Sequence, residues 1–278
     1  MIDFNGKVVV ITGGASGLGA ACARAFGARG ARLVLGDING DGLREMKSQL
    51  EARGCDVMTE IVDVAQAWQV GEFCDKAFKE MGRVDVLVNN AGVACAGRLE
   101  DMTLDDWQWI MGINMWGVIH GAHFFYPRML EQGSGHIVNI ASAAGLIPLP
   151  MLAAYSGIKS AILAMTRVWR AEGAARGIGF TAICPGFMNT NISKSVRSCS
   201  GTDRKTPEEF AQKVDWVMTR DRWDPGRVAD AVVRAVEKNK GIVPTGPESY
   251  FVDFANRLSR RLTDFVLRVS VRVMNRWA

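Results

Sequence analysis

The segment KVVVITGGASGLG, residues 7–19, constrains the fold more than any other stretch. Val8, Val9, Val10 and Ile11 form an apolar run without polar alternation. Such a run suits a strand covered on both faces, and therefore a parallel sheet. Gly13, Gly14, Gly17 and Gly19 follow at once, and then a run rich in small residues, GAACARAFGARG, that reads as a helix. A strand, a tight glycine turn and a helix in that order form the first unit of a layered α/β protein.

The same alternation continues along the chain. Strands are expected at 7–13, 31–37, 55–64, 84–90, 135–142, 178–186 and 241–246. Helical patterns fill 41–53, 66–81, 103–131, 152–176, 207–219 and 225–239, with Gly112, Gly117, Gly121 and Pro127 interrupting the long one. Seven strands alternating with helices predict a Rossmann-like, doubly wound parallel seven-stranded sheet in a single domain. Residues 1–250 are assigned to that domain and 251–278 to a helical extension. The segment 189–207 is the longest loop-like piece, a length that suits a lid.

Composition narrows the class. The 278 residues are 48% hydrophobic and 22% charged, as in an ordinary globular protein. No run of about 18 apolar residues is present, so no spanning helix is expected. The start, MIDFNGKVVV, lacks the order of a signal peptide. Six cysteines (22, 55, 74, 95, 184 and 199) are scattered without a CxxC pair, which predicts reduced thiols, a cytoplasmic setting and no metal site. The formal charge is +4, and residues 251–278 hold six arginines and two aspartates, a difference of +4. The body is therefore neutral, which argues against a nucleic-acid partner.

The glycine turn has the spacing GxxxGxG at Gly13, Gly17 and Gly19. Between a strand and a helix, it lets backbone approach a pyrophosphate that faces the helix N-terminus. Asp37 ends the second strand, where a carboxylate accepts ribose hydroxyls and repels a 2′-phosphate; it also suits a plain turn. Its expected neighbours Ser16 and Ile38 are neutral, which favours NAD over NADP. Asp63 and Val64 end the third strand and Asn89, Asn90, Ala91 and Gly92 the fourth, at the edge where such sheets bind ligands. Asn90 suits either cofactor contact or a tie between strands.

Tyr155 and Lys159, in YSGIK, share one helix face at i and i+4. A free phenol has a pKa of about 10. An ammonium about 4 Å away contributes roughly 4 kcal/mol at an effective dielectric near 20, which draws the phenol toward neutrality while desolvation opposes. Spacing alone does not separate such a pair from two ordinary helix residues. Ser142, at the end of the fifth strand, is placed to hold a substrate oxygen or to cap a turn. Asn114 stands inside a helical stretch that it does not favour.

In these motifs the chain resembles the short-chain dehydrogenase/reductase family in its single-domain form. The resemblance rests on TGGASGLG (12–19), NNAG (89–92), Asn114, Ser142, YSGIK (155–159) and PGFMNT (185–190), and covers residues 5 to about 245. It implies Tyr155 as the acid/base, Lys159 lowering its pKa and holding the nicotinamide ribose, Ser142 polarising the substrate oxygen, and Asn114 holding a relay water. Together with the readings above, the expected cofactor contacts are Gly13, Ser16, Gly17, Leu18, Gly19, Asp37, Ile38, Asp63, Val64, Asn90, Ala91, Gly92, Tyr155, Lys159, Pro185, Gly186 and Thr190. The activity expected is hydride transfer between NAD and an alcohol or ketone. Related alternatives are an epimerase or dehydratase with retained NAD, and a non-catalytic NAD sensor.

Val93, Ala94, Cys95, the segment LIPLPML (146–152), Phe187 and Met188 are the expected pocket walls. They are almost wholly apolar, which suits a hydrophobic secondary alcohol of steroid, retinoid, terpenoid or fatty type. The family resemblance implies a homodimer or homotetramer. In the extension, Phe251, Phe254, Ala255, Leu258, Leu262 and Phe265 form an apolar helical stripe beside Arg257, Arg261, Arg268 and Arg272. Docking on protein and docking on an anionic membrane both fit this pattern.

Overall fold

The computed structural model describes residues 3–186, 188, 196–198, 224–259, 261, 263 and 268. Parallel strands β1 (Val8–Thr12), β2 (Arg32–Asp37), β3 (Val57–Ile61), β4 (Val86–Asn89), β6 (Gly135–Ile140), β7 (Ile178–Pro185) and β9 (Ile242–Thr245) build one sheet in the order β3-β2-β1-β4-β6-β7-β9. Every residue of β1, β4 and β7 is buried, as continuous apolar runs require in a sheet covered on both faces. The order reverses between β1 and β4, so a crevice opens beyond their C-terminal ends.

Helices cover both faces. On one lie α1 (Gly17–Gly27), α2 (Gly40–Glu51) and α8 (Pro225–Glu237), with Phe26, Leu43, Val228 and Val232 buried in a core with Ile11 and Leu35. On the other lie α3 (Ala67–Met81), α4 (Leu104–Met111), α5 (Gly117–Gln132) and α7 (Ala153–Ala174). Phe73 and Phe125 meet there edge to face at 6.3 Å over the central strands. A short α6 (Ala143–Leu146) and a last helix, α9 (Pro247–Leu258), lie near the end of β6.

Local chemistry explains the helix starts. Asn39 accepts from the Gly42 amide at the start of α2, and Thr103 and Asp106 form a reciprocal capping box at α4. Asp224 caps α8, with Pro225 in its first turn. The expected interruption of the long helix is a π turn at Gly112–Trp116 between α4 and α5. Pro127 does not break α5, although an interior proline costs about 3 kcal/mol. The flanking Phe125 and Met129 are fully buried and hold the helix to the sheet.

Two features lie outside the sequence expectations. A two-stranded parallel sheet joins β5 (Ala94–Ala96) to β8 (Val196–Ser198), inside the segment expected to be loop. Cys95, in β5, is disulfide-bonded, which corrects the expectation that all cysteines are reduced; Cys22, Cys55, Cys74 and Cys184 are free thiols. The pairing of β5 with β8 brings together stretches about 100 residues apart, a proximity that cysteine spacing does not carry. The expected helix at 207–219 lies outside the described residues. Among the described residues, no helix is long and apolar enough to cross a membrane.

His136 on β6 is buried, and its Nε2 lies 2.8 Å from Thr181 Oγ1 on β7. Burial, with the Arg170 guanidinium second, pushes its pKa from 6.5 down to about 4. The unfolded chain therefore takes up this proton before the folded one does. The associated stability is intact above about pH 6.5 and is lost as pH falls toward 4. Urea unfolding at pH 7 and pH 5 should show wild type losing about 2 kcal/mol more than His136→Gln. Equal losses would contradict the assignment.

Candidate active site

At the nucleotide end, Gly13 and Gly17 have φ of 66° and 53°, backbone that side-chain-bearing residues rarely adopt. A Cβ on Gly19 would stand 2.0 Å from the Gly13 carbonyl oxygen, so the helix start can pack on the turn only as glycine. Ser16, at the N-cap of α1, makes no side-chain cap, which leaves the first amides of α1 to an anion. Leu18 is buried under the turn. A carboxylate braces the loop: Asp37 Oδ2 accepts from the Ala15 amide and Oδ1 from the Asn39 amide, both at 3.0 Å. Ile38 beside it is exposed.

Asn90 is a tie between strands. Its Nδ2 donates to the Thr12 and Gly13 carbonyls at 2.9 and 3.1 Å, while Thr12 Oγ1 accepts from the amides of Asn90 and Ala91. This locks the ends of β1 and β4 around the glycine turn. Asp63 accepts from the Ala65 amide at 2.9 Å in the turn into α3. Val64 is buried against Gly117, with its carbonyl 2.9 Å from His120 Nδ1. Gly92 lies against Asn114. Pro185 ends β7, and the Gly186 amide donates to the Thr245 carbonyl at 3.0 Å. Thr190 and Phe187 lie outside the described residues.

Ser142, Tyr155 and Lys159 converge at the end of β6 and the start of α7. Ser142 caps α6 by accepting from the Ala144 amide at 3.1 Å, and also hydrogen-bonds the Tyr155 side chain. The cap and the substrate-facing role coexist. Lys159 is buried, donates to the Ile140 carbonyl at 2.8 Å, and places Nζ 5.6 Å from the centre of the Tyr155 ring. A Cβ on Gly145 would meet the Lys159 backbone at 2.8 Å, so α6 seats on α7 through a glycine. Asn114, fully buried in the π turn, spends its side chain on Val93: Oδ1 accepts from the Val93 amide and Nδ2 donates to its carbonyl, both at 2.8 Å. Its amide therefore shapes the strand-end loop.

The electrostatics correct one expectation. Burial pushes the Tyr155 phenol up from its ordinary value, and the Ser142 hydrogen bond acts against that. Burial pushes Lys159 down to about 8, with the Cys184 thiol acting oppositely. The lysine does not draw the phenol toward neutrality in this geometry, because both groups are desolvated and the ammonium is spent on Ile140. The unliganded site thus holds a protonated phenol beside a lysine that titrates close to neutral pH.

Sequence reasoning missed several supporting groups. Asn89 donates to Asn139 at 2.9 Å, and Asn139 to Thr166 Oγ1 at 2.9 Å, a buried polar ladder from β4 through β6 to α7. The three residues lie in separate motifs, so only the sheet order reveals them. Met151, in the apolar wall, has φ of 63°, a strained backbone of the kind found at ligand sites. Val93, Leu146, Leu149 and Leu152 are half-buried around it, and Ala94, Cys95 and Ile147 are buried.

The short chain dehydrogenase family model matches residues 7–200, and the chain belongs to that family. "Probable oxidoreductase EphD" of Mycobacterium tuberculosis is 36% identical over 249 residues, which are 89% of this chain but 42% of the relative; the chain spans less than half of that protein. "Putative oxidoreductase SadH" of the same organism is 33% identical over 260 residues, 93% of this chain and 92% of the relative. A short-chain dehydrogenase/reductase from Burkholderia phymatum, solved in complex with NAD, is 31% identical and superposes with a TM-score of 0.87, covering 94% of this chain and 96% of that one.

The glycine turn, the uncapped start of α1 and the Asp37 carboxylate fit a dinucleotide. Gly19→Ala should weaken nicotinamide dinucleotide binding at least about tenfold in a fluorescence titration, because its Cβ has no room beside Gly13. Unchanged affinity would show that the turn does not hold the cofactor.

Proposed function

We propose that the chain is an NAD-dependent dehydrogenase that oxidises an apolar secondary alcohol to a ketone, or runs the reverse, with Tyr155 as the acid/base. The observation that carries this reading is the contact of Tyr155 with Ser142 above a buried Lys159. The chemistry NAD supplies when bound is acceptance of a hydride from the carbinol carbon. Ser142 Oγ orients the alcohol oxygen, and Tyr155 Oη takes its proton. In this reading Lys159, its Nζ held by the Ile140 carbonyl, holds the nicotinamide ribose. The raised phenol suits proton donation in the reductive direction; oxidation requires its deprotonated form, so the oxidative rate should rise with pH.

Asp37 supports NAD over NADP. A carboxylate at the end of the second strand accepts ribose hydroxyls and repels a 2′-phosphate, and Asp37 ends β2. The NAD complex of the Burkholderia phymatum relative points the same way. The apolar side chains of Val93, Leu146, Ile147, Leu149 and Leu152 support a hydrophobic substrate. A homo-oligomer is supported by Leu104, Met111, Trp116 and Val168, large apolar side chains exposed on α4, the π turn and α7.

Tyr155→Phe removes one oxygen and leaves the nucleotide turn intact. It should retain NAD binding while losing at least about a thousandfold in kcat, within the range of acid/base contributions. Full turnover in this variant would refute the assignment, whereas NAD binding without turnover in wild type would favour a binding protein.

A further inference from the structure

Helix α9 turns an exposed aromatic face outward. Tyr250, Phe251, Phe254 and Leu258 are 58%, 72%, 64% and 70% exposed. At about 100° per residue they occupy one arc of roughly 100°. The opposite side is anchored: Ser249 is buried, and Asn256 Nδ2 donates to the Leu146 carbonyl of α6 at 2.8 Å. The helix is therefore seated with its apolar arc outward. With aromatic side chains of 150–250 Å² each, the exposed apolar area is about 500 Å², at the upper end for a monomer surface.

The charge of the chain that continues from α9 points to what covers it. Residues 251–278 carry a net charge of +4 on a chain whose remainder is neutral. Arg261 and Arg268, just beyond α9, are exposed. Asp253 is half-buried on the inner side of α9. A second copy docked on this face across a two-fold axis would bring together two segments that each carry +4. The neutral body of another copy offers it no opposing charge. An anionic lipid surface answers both features, since phenyl and phenol rings partition into the headgroup boundary and arginines pair with lipid phosphates.

We propose that the exposed face of α9 docks on an anionic lipid surface. Leu146, which α9 holds, closes the helix that Ser142 opens, so the docked face lies one short helix from the reacting groups. The docking stands apart from the substrate reading, because vesicle binding is measured without turnover.

The test is co-sedimentation of the full chain with vesicles of phosphatidylcholine alone or mixed with phosphatidylglycerol. Wild type should bind the anionic vesicles and lose that binding at high salt. Phe251→Ser/Phe254→Ser should bind at least about tenfold more weakly while oxidising a water-soluble alcohol at the wild-type rate. Hydrogen exchange on wild type guards against a misfolded variant: residues 247–258 should be protected on anionic vesicles. Equal binding to neutral vesicles, no binding, or no added protection would overturn the proposal. Loss of oligomer mass in the double variant, with no vesicle binding by wild type, would assign the face to a second copy.

Discussion

The arrangement turns on one buried ammonium. An isolated charge moved out of water costs several kcal/mol unless hydrogen bonds hold it. Lys159 meets that condition through the Ile140 carbonyl at the end of β6. The contact fixes α7 relative to the sheet edge, and Gly145 lets α6 close over the same lysine backbone. Ser142 and Tyr155 are thereby brought together from different elements. Burial that would be a liability elsewhere leaves a lysine titrating near 8 beneath a phenol. Stability and chemistry meet in this contact, because the bond that seats α7 also fixes the charge.

The sheet supplies the frame for that contact. Its order sets the ends of β1, β4, β6 and β7 side by side. Thr12 and Asn90 lock the first two around the glycine turn, and the Asn89–Asn139–Thr166 ladder ties β4 and β6 to α7. Buried polar groups of this kind are costly when unpaired, so the ladder holds the strand ends in one arrangement. Asn114 extends the frame from the π turn to Val93. The glycine turn and the Ser142–Tyr155–Lys159 cluster share this scaffold.

All seven main strands and the glycine turn were legible in the sequence, because unalternating apolar runs and glycine spacing are local signals. Tyr155, Ser142 and Lys159 were legible as a set through motif order, and the structure brings them together. The β5–β8 pairing was not, since it joins stretches about 100 residues apart, and neither was the Cys95 disulfide, which cysteine spacing does not announce. The direction of the Tyr155 shift was also misread: spacing gives the Coulomb attraction, whereas desolvation depends on how tightly the helix packs. Asn114 stood out as a poor helix former inside a helical stretch, but the Val93 backbone that its side chain holds, 21 residues away, is announced by no helical pattern.

The central claim is that Tyr155, Ser142 and Lys159 serve hydride transfer from an alcohol to NAD. The most direct measurement is the growth of reduced-cofactor absorbance when wild-type protein meets apolar secondary alcohols, run in parallel with NAD and NADP. The account predicts net reduction of NAD, with kcat/KM at least about tenfold above that with NADP, the repulsion expected at a ribose-binding carboxylate. Reduction of neither cofactor by any alcohol, in protein that binds NAD, would contradict it.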